Sequence, residues 1–425
     1  IRCLQHIMIF TACDTVRNFL FVIYSFHKAP INRTYVPVFE FILPDNKENR
    51  KKGKKLMTSV FEEKNIPKAI MRVGLPAMLG QLTTLIYNIA DTFFVSLTKE
   101  PATIAAVTLC APILLIIMSI ACIFGMGGSS VIARLLGEKK NEESGAAMNF
   151  CVYAMAAAGV LTLVLGLLFL QPLAKISGAD AENMAYTCDY LKWIFAGAPF
   201  IMRANGFVHL FRSAGMIRQS TVGLVLGNVI NMILDYIFIA IWGWGTAGAA
   251  LATSLGFVCA TVYYMVCMIR ESSGETAPVP LTLKPLPPKP VMIRNIVSIG
   301  IPGALITVLM SVSNIVLNNY ISIYGSDAVA SYGIAYKLDM IPILLSVGLS
   351  QGVAPLTGYC YGGNEKKKMS DIIKYTVLYG LAIGAVFTAI FILFGKLLAA
   401  IFLTEDVLIE QTGYFLRILC LSAPL

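Results

Sequence analysis

Ten apolar segments follow one another from residue 69 onward, and they constrain the fold of this chain more than any other feature. Each of them except the last is at least as long as the ~20 residues that an α-helix needs to cross ~30 Å of hydrocarbon. Because a backbone exposed to lipid must satisfy its own hydrogen bonds, such segments predict helices. The expected fold class is an all-α polytopic membrane protein. We place the segments at 69–97, 103–132, 146–170, 184–208, 221–241, 247–269, 297–322, 328–357, 372–396 and 408–425.

The composition agrees with a protein that lies in lipid rather than in water. Apolar residues make up 57% of the 425 positions and charged residues 13%, whereas soluble domains average about 45–50% and about 25%. The ten cysteines form no CxxC pair, and of the three histidines His209 alone lies within the array of predicted helices. A zinc enzyme or a Ser-His-Asp enzyme is therefore poorly supported. We expect a protein that is not an enzyme and has no cofactor.

Basic residues are concentrated in every second break between the segments. They precede the first segment and follow the second, fourth, sixth and eighth, a distribution that indicates membrane orientation and no binding of nucleic acid. Since cytoplasmic loops are enriched in Lys and Arg, we predict a multi-pass protein of the cell membrane with a cytoplasmic N-terminus. Trp242 and Trp244 would then lie at the outer interface. The basic residues are Lys64, Lys68, Arg72, Arg134, Lys139, Lys140, Arg212, Arg218, Arg270, Lys284, Lys289, Arg294, Lys366, Lys367 and Lys368.

The chain contains an internal repeat. Gly74-Leu75-Pro76 recurs 226 residues later as Gly300-Ile301-Pro302, Asn314 follows Asn88 at the same offset, and Gly362 follows Gly137 at an offset of 225. A nearly constant offset over so many residues indicates duplication. Six spans separate equivalent points, so both copies enter the membrane in the same direction. We predict two six-helix lobes related by an axis along the membrane normal, as in many secondary transporters.

The repeat also predicts the domain boundaries. The two spans within residues 201–270 have no counterpart in the second copy, so we expect twelve spans in the intact protein, with the last two absent from this sequence. Met57 is a natural start, and the residues before it belong to neither copy. We divide the chain into an N-terminal extension at 1–56, a first lobe at 57–270, a proline-rich cytoplasmic linker at 271–292 and a shortened second lobe at 293–425.

The fifth segment carries an acid in its apolar interior. Asn228, Asn231 and Asp235 are spaced three and four residues apart, so all three project from one face of a helix. An acid at membrane depth is costly and usually functional. With two amides beside it, Asp235 suits a site that binds and releases H⁺ or a cation. The alternative is a polar seam that bonds neighbouring helices.

A second polar stripe lies on the first segment. Gln81, Thr84, Asn88 and Asp91 are spaced three, four and three residues apart. The repeat places Leu317 opposite Asp91, so the second lobe lacks the equivalent acid. We therefore expect ion coupling mainly in the first lobe. The alternative for Asp91 is a position near the outer interface of the membrane.

Several motifs resemble those of multidrug and toxin extrusion (MATE) exporters. In the first lobe these are Gly74-Leu75-Pro76 with YNIADTFFV, ARLLGEKK, FRSAG, and NVINMILDYIFI followed by WGWGTAGAALATSLG. In the second lobe ASYGIAYKL and GVAPLTGYCYG resemble the MepA-like, DinF-like bacterial branch of that family. The resemblance covers about 60–425. It implies a cation site for H⁺ or Na⁺ made by Asp91, Asn231, Asp235 and Thr253.

One feature departs from another branch of the family. NorM-type members carry a Glu soon after the start of the seventh helix, whereas this chain has only apolar or hydroxyl residues from Gly303 to Val312. That difference argues against a second-lobe sodium site of the NorM type.

The leading functional hypothesis is a monomeric secondary active multidrug exporter. It would exchange cationic, amphiphilic drugs for H⁺ or Na⁺ by alternating access. A related alternative is a lipid-linked saccharide flippase, whose polyanionic cargo would favour several arginines in the cavity. A major-facilitator transporter is less well supported, because LLGEKKNEES lacks the acidic-Arg-Gly-Arg pattern of that class. A membrane-embedded receptor or enzyme is an alternative from a different class.

Overall fold

The computed structural model describes residues 61, 63–98, 100–272, 288–400 and 406–420. Within these ranges the regular elements are helices, and no strand occurs. The helices are α1 (Ile66–Ser96), α2 (Pro101–Gly137), α3 (Asn141–Leu168), α4 (Leu170–Ile176), α5 (Met184–Ser213), α6 (Ile217–Asp235) with a π-helical turn (Tyr236–Ile241), α7 (Gly245–Ser272), α8 (Pro290–Ser322), α9 (Ser326–Gly362), α10 (Lys366–Ala400) and α11 (Asp406–Leu419).

The helices confirm the all-α membrane fold class. In the described part of the chain nine helices are long and apolar enough to cross a membrane, with α6 and its π-helical turn counted as one. Several helices extend beyond the apolar segments that predict them. For example, α2 continues to Gly137 and α9 to Gly362. A helix satisfies its backbone internally, so it can continue into the polar interface after the apolar residues end.

Some boundaries differ from the sequence-based expectations. The short helix α4 lies in the break between the third and fourth segments and has no counterpart among them. Helix α8 begins at Pro290, inside the segment assigned to the linker. Proline favours the first turn of a helix because the N–H that it lacks would have no intrahelical partner there. Residues 273–287 of the linker and the extension at 1–56 lie outside the described residues.

The helices are arranged as a duplication would arrange them. Helices α2 and α9 both contain 37 residues, and α9 begins and ends 225 residues after α2. Helix α10 likewise begins 225 residues after α3. Pro76 lies inside α1 and Pro302 inside α8. The chain therefore forms a first lobe of α1–α7 and a second lobe of α8–α11.

The two lobes meet through α1 and α2 of the first lobe and α8 and α9 of the second. We call the end of the bundle where α1 and α8 begin and α2 and α9 end the basal end, and the opposite end the distal end. Helices α2 and α8 cross there at two glycines. A Cβ on Gly300 would clash with the carbonyl oxygen of Ile123, and one on Gly127 would clash with that of Ile296. Only glycine permits this approach.

Helices α2 and α9 approach each other in the same way. A Cβ on Gly362 would clash with the carbonyl oxygen of Arg134, close to the basal end. By contrast, the distal part of α8 exposes large apolar side chains, among them Leu309 (63% exposed) and Tyr320 (65% exposed). The lobes are thus packed together near the basal end, whereas the exposed apolar face of α8 is of the kind that contacts lipid or another helix.

We expect Gly300→Ala to lower the midpoint of thermal unfolding in detergent by about 1–3 °C, because overpacking costs about 1–3 kcal/mol and the unfolding entropy of a chain this long is large. Gly380 in α10 is the matched control, since a Cβ there meets nothing within 4 Å. Gly380→Ala should leave the midpoint unchanged or raise it, because alanine favours a helix by about 1 kcal/mol over glycine. Equal midpoints for the two variants would show that the Gly300 contact does not hold the lobes together.

Candidate functional site

Two acids from different helices meet in the distal half of the first lobe. Asp235 is the last residue of α6, and its side chain is fully buried. Asp91 lies near the end of α1 and is partly buried. The two carboxyl groups are in contact with each other. The structure thus brings together the acids of the two polar stripes.

The close packing of α6 on α7 places two further residues of the site. A Cβ on Gly256 of α7 would lie 2.8 Å from the carbonyl oxygen of Gly227 in α6, so these helices approach at glycine. About one helical turn away from these glycines, the Asn231 Nδ2 of α6 donates a hydrogen bond to the Thr253 Oγ1 of α7 at 3.2 Å. Both side chains are buried. Thr253 therefore lies beside the face of α6 that carries Asn231 and Asp235.

The helix changes its winding directly after Asp235. Residues Tyr236–Ile241 form a π-helical turn, in which the Trp242 N–H donates to the carbonyl oxygen of Ile237. Such turns are rare in proteins as a whole, but those that occur often lie at functional sites, because the wider winding redirects neighbouring side chains and carbonyl groups. Sequence periodicity did not predict this turn.

The secondary polar residues predicted from the sequence, Gln81, Thr84, Asn88 and Asn228, lie in three different environments. Asn228 Nδ2 donates to Thr84 Oγ1 at 3.1 Å, which joins α6 to α1. Gln81 instead points to the second lobe, where its Nε2 donates to Gln351 Oε1 at 2.9 Å. Asn88 is exposed and does not join the buried cluster. Only part of the stripe on α1 therefore faces the acids.

Two tyrosines in this region were not predicted from the sequence. Tyr87 is buried, contacts Thr253 and lies close to both Asp91 and Asp235. Its position four residues before Asp91 puts it on the same helical face, a signal that periodicity could have revealed. Tyr190 on α5 is also buried near both acids. Its approach from a distant part of the chain has no local signal.

The oxygen atoms of the site suit a proton or a hard cation. Both carboxylate oxygens of Asp235 and the Oδ1 of Asn231 are buried without a hydrogen-bond donor. None of the ion pairs formed within the described ranges involves Asp91 or Asp235. Two carboxylates in contact repel each other unless a proton or a cation neutralises them. This arrangement can therefore bind and release one positive charge.

A family model matches the chain over most of both lobes. The model is that of the MatE family, and it matches residues 76–237 and 302–425. The chain belongs to the MatE family. As a MatE protein with several membrane-crossing helices, it is a multi-pass membrane transporter.

Curated relatives of this MatE chain carry the name multidrug export protein MepA. The MepA of Staphylococcus aureus (strain NCTC 8325 / PS 47) is 32% identical over 362 residues, which cover 84% of this chain and 78% of the relative. The MepA of Staphylococcus haemolyticus (strain JCSC1435) is 33% identical over 358 residues with the same coverage.

Solved MATE structures share the fold. A multidrug resistance MATE family transporter of the MOP superfamily in an outward-facing conformation has a TM-score of 0.80 and 26% identity, with 88% of this chain and 82% of that chain covered. A MOP superfamily transporter from Pyrococcus furiosus has a TM-score of 0.77 and 26% identity, with 86% and 81% covered. Its binding pocket is described as having reverse polarity, which suggests a different function for that protein.

We expect Thr253→Val to lower the free energy of unfolding by about 1 kcal/mol, because it removes the acceptor of the Asn231 amide and leaves a buried donor unsatisfied. Thr253→Ser is the matched control, since it keeps the hydroxyl and loses a methyl group. Thermal unfolding in detergent would measure both. A valine variant as stable as the wild type, with a destabilised serine variant, would mean that packing rather than the hydrogen bond matters there.

Proposed function

We propose that this protein is a secondary active multidrug exporter that exchanges cationic, amphiphilic drugs for protons. The observation that most directly supports proton exchange is the contact between Asp91 and Asp235, two acids that form no ion pair with a basic residue in the described ranges. Membership of the MatE family and the names of the curated MepA relatives support drug export.

Proton binding at this pair would change the relative stability of two conformations. A ligand shifts such an equilibrium only when it binds the two states with different affinity. Asp91 belongs to α1, which also forms part of the contact between the lobes, whereas Asp235 belongs to α6. Neutralising the pair removes their repulsion and alters the packing of α1 on α6. Loss of the proton would restore the repulsion and favour the other state.

We further propose that the basal end faces the cytoplasm. The basic residues of the alternate breaks lie at the basal end, including the exposed residues Lys68 and Lys140. Trp242 and Trp244 follow the π-helical turn at the distal end and are about half exposed, as aromatic residues at a membrane interface are. The distal end would then face the outside of the cell.

Asp235→Asn and Asp91→Asn should each raise ethidium accumulation in efflux-deficient cells to the level of cells that lack the protein. Each substitution keeps the side-chain volume but removes the group that gains and loses the proton. Asp189→Asn is the matched control, because Asp189 is exposed on α5, and it should keep wild-type efflux at equal expression in the membrane.

The outcomes separate the two parts of this proposal. Drug efflux that is unchanged by Asp235→Asn would exclude the coupling role of that residue. If the wild-type protein itself fails to lower ethidium accumulation despite normal expression, drug export becomes doubtful. The flippase alternative would then be tested next with a lipid-linked saccharide.

In proteoliposomes, an imposed pH gradient should drive drug transport in the absence of Na⁺, and a Na⁺ gradient alone should not. The reason is the pair of contacting carboxyl groups, which repel each other when both are ionised and which one bound proton neutralises. Transport should be followed by the fluorescence of ethidium at equal membrane potential. Transport driven by Na⁺ at equal pH on both sides would assign the oxygens of Asp235, Asn231 and Thr253 to a sodium site instead.

A further inference from the structure

A buried arginine lies away from the acid pair, at the contact between the lobes. The apolar segment ends at residue 208, which predicts a loop position for Arg212, but α5 continues to Ser213 and the Arg212 side chain is fully buried. Its Nη1 donates a hydrogen bond to Gln351 Oε1 at 2.9 Å. The same oxygen accepts the hydrogen bond from Gln81 Nε2, also at 2.9 Å. We call Gln81, Arg212 and Gln351 the seam triad.

The seam triad joins the two lobes. Gln81 and Arg212 belong to α1 and α5 of the first lobe, whereas Gln351 belongs to α9 of the second. The residues beside Gln351 are in close contact with α1. A Cβ on Gly352 would lie 2.7 Å from the carbonyl oxygen of Val73, and one on Gly348 would lie 2.7 Å from the Cα of Met78. The triad therefore lies where the basal half of α1 packs tightly on α9.

The Gln351 oxygen has a particular importance for Arg212. The Nε and Nη2 atoms of that arginine are buried without an acceptor, and none of the ion pairs in the described ranges includes its guanidinium group. Hydrogen bonds from a charged donor are stronger than neutral ones, and a buried charge without a partner is costly. When α9 moves away from α1 and α5, Arg212 loses this acceptor and must be hydrated.

We propose that the seam triad is a gate that holds the basal side of the transporter closed, with Gln351 as the residue that sets how readily the lobes separate. Its members are positioning residues, and they act through the contact between the lobes rather than on the proton. Gln81 lies ten residues before Asp91 on α1, a separation of about 15 Å along the helix. A movement of α1 that begins at the acid pair therefore also reaches the triad.

The proposal rests on alternating access from the proposed function, but it can be tested without a drug. Cys360 of α9 is fully buried in the apolar cluster where Ala69, Ile70 and Val73 of α1 pack against α9. Separation of the lobes at the basal end exposes its thiol. The rate of maleimide labelling of Cys360, measured by peptide mass spectrometry on the full-length protein, thus reports basal opening.

Two substitutions of Gln351 should have opposite effects. Gln351→Leu removes the acceptor of Arg212 and should speed the labelling of Cys360 by about tenfold, the factor that corresponds to one lost hydrogen bond to a charged group. Gln351→Glu places a carboxylate beside the guanidinium group and should slow the labelling below the wild-type rate. Drug transport by the glutamate variant should show a lower maximal rate with an unchanged apparent affinity for drug.

Cys110 is the control for folding, because it is fully buried in an apolar cluster formed by residues of the first lobe alone. Its labelling should stay slow in both variants. A purely structural role for Gln351 predicts that both variants label Cys360 faster, and that result would overturn the proposal, as would unchanged labelling in both. If labelling changes as expected while Asp235→Asn leaves efflux intact, the gate stands and only the coupling role of the acid pair fails.

Discussion

The absence of water from the bilayer core is the constraint on which this structure depends. Every backbone group in the hydrocarbon region must find its partner inside the protein, so the chain crosses the membrane as helices. The same constraint applies to polar side chains. In the first lobe, Asn228 bonds Thr84 and Asn231 bonds Thr253, each across a helix contact. Polar groups at membrane depth therefore gather at specific points between helices, and these points are the candidate sites.

Glycine decides where helices can approach closely enough for such contacts. Between α6 and α7, the approach at Gly227 and Gly256 lets short side chains reach across the interface. Between the lobes, glycines in α2 and α8 bring two backbones together near the basal end, where a Cβ on Gly300 would meet the Ile123 carbonyl oxygen. Small residues have this role in membranes because backbone contact and van der Waals packing replace the hydrophobic driving force.

Helix α1 connects the two polar centres of the molecule. Its distal part carries Asp91, which contacts Asp235 within the first lobe, and its middle carries Gln81, which bonds Gln351 of the second lobe. Pro76 lies in the same helix, closer to its N-terminus at the basal end than either Gln81 or Asp91. A proline inside a helix removes one backbone hydrogen bond and favours a bend. One helix thus combines an ionisable site, a contact between the lobes and a point at which its direction can change.

The sequence by itself determined the membrane helices, the duplication and the choice of Asp91, Asn231, Asp235 and Thr253 as candidate site residues, because hydropathy, a fixed offset and family motifs are visible along one chain. It did not reveal the π-helical turn after Asp235, the separation of Asn88 from the acids, or the burial of Arg212 against Gln351. These features depend on which helices pack together. Periodicity predicts the face on which a side chain lies, but the partner of that face is selected by contacts between residues far apart in the chain, and only the tertiary structure decided them.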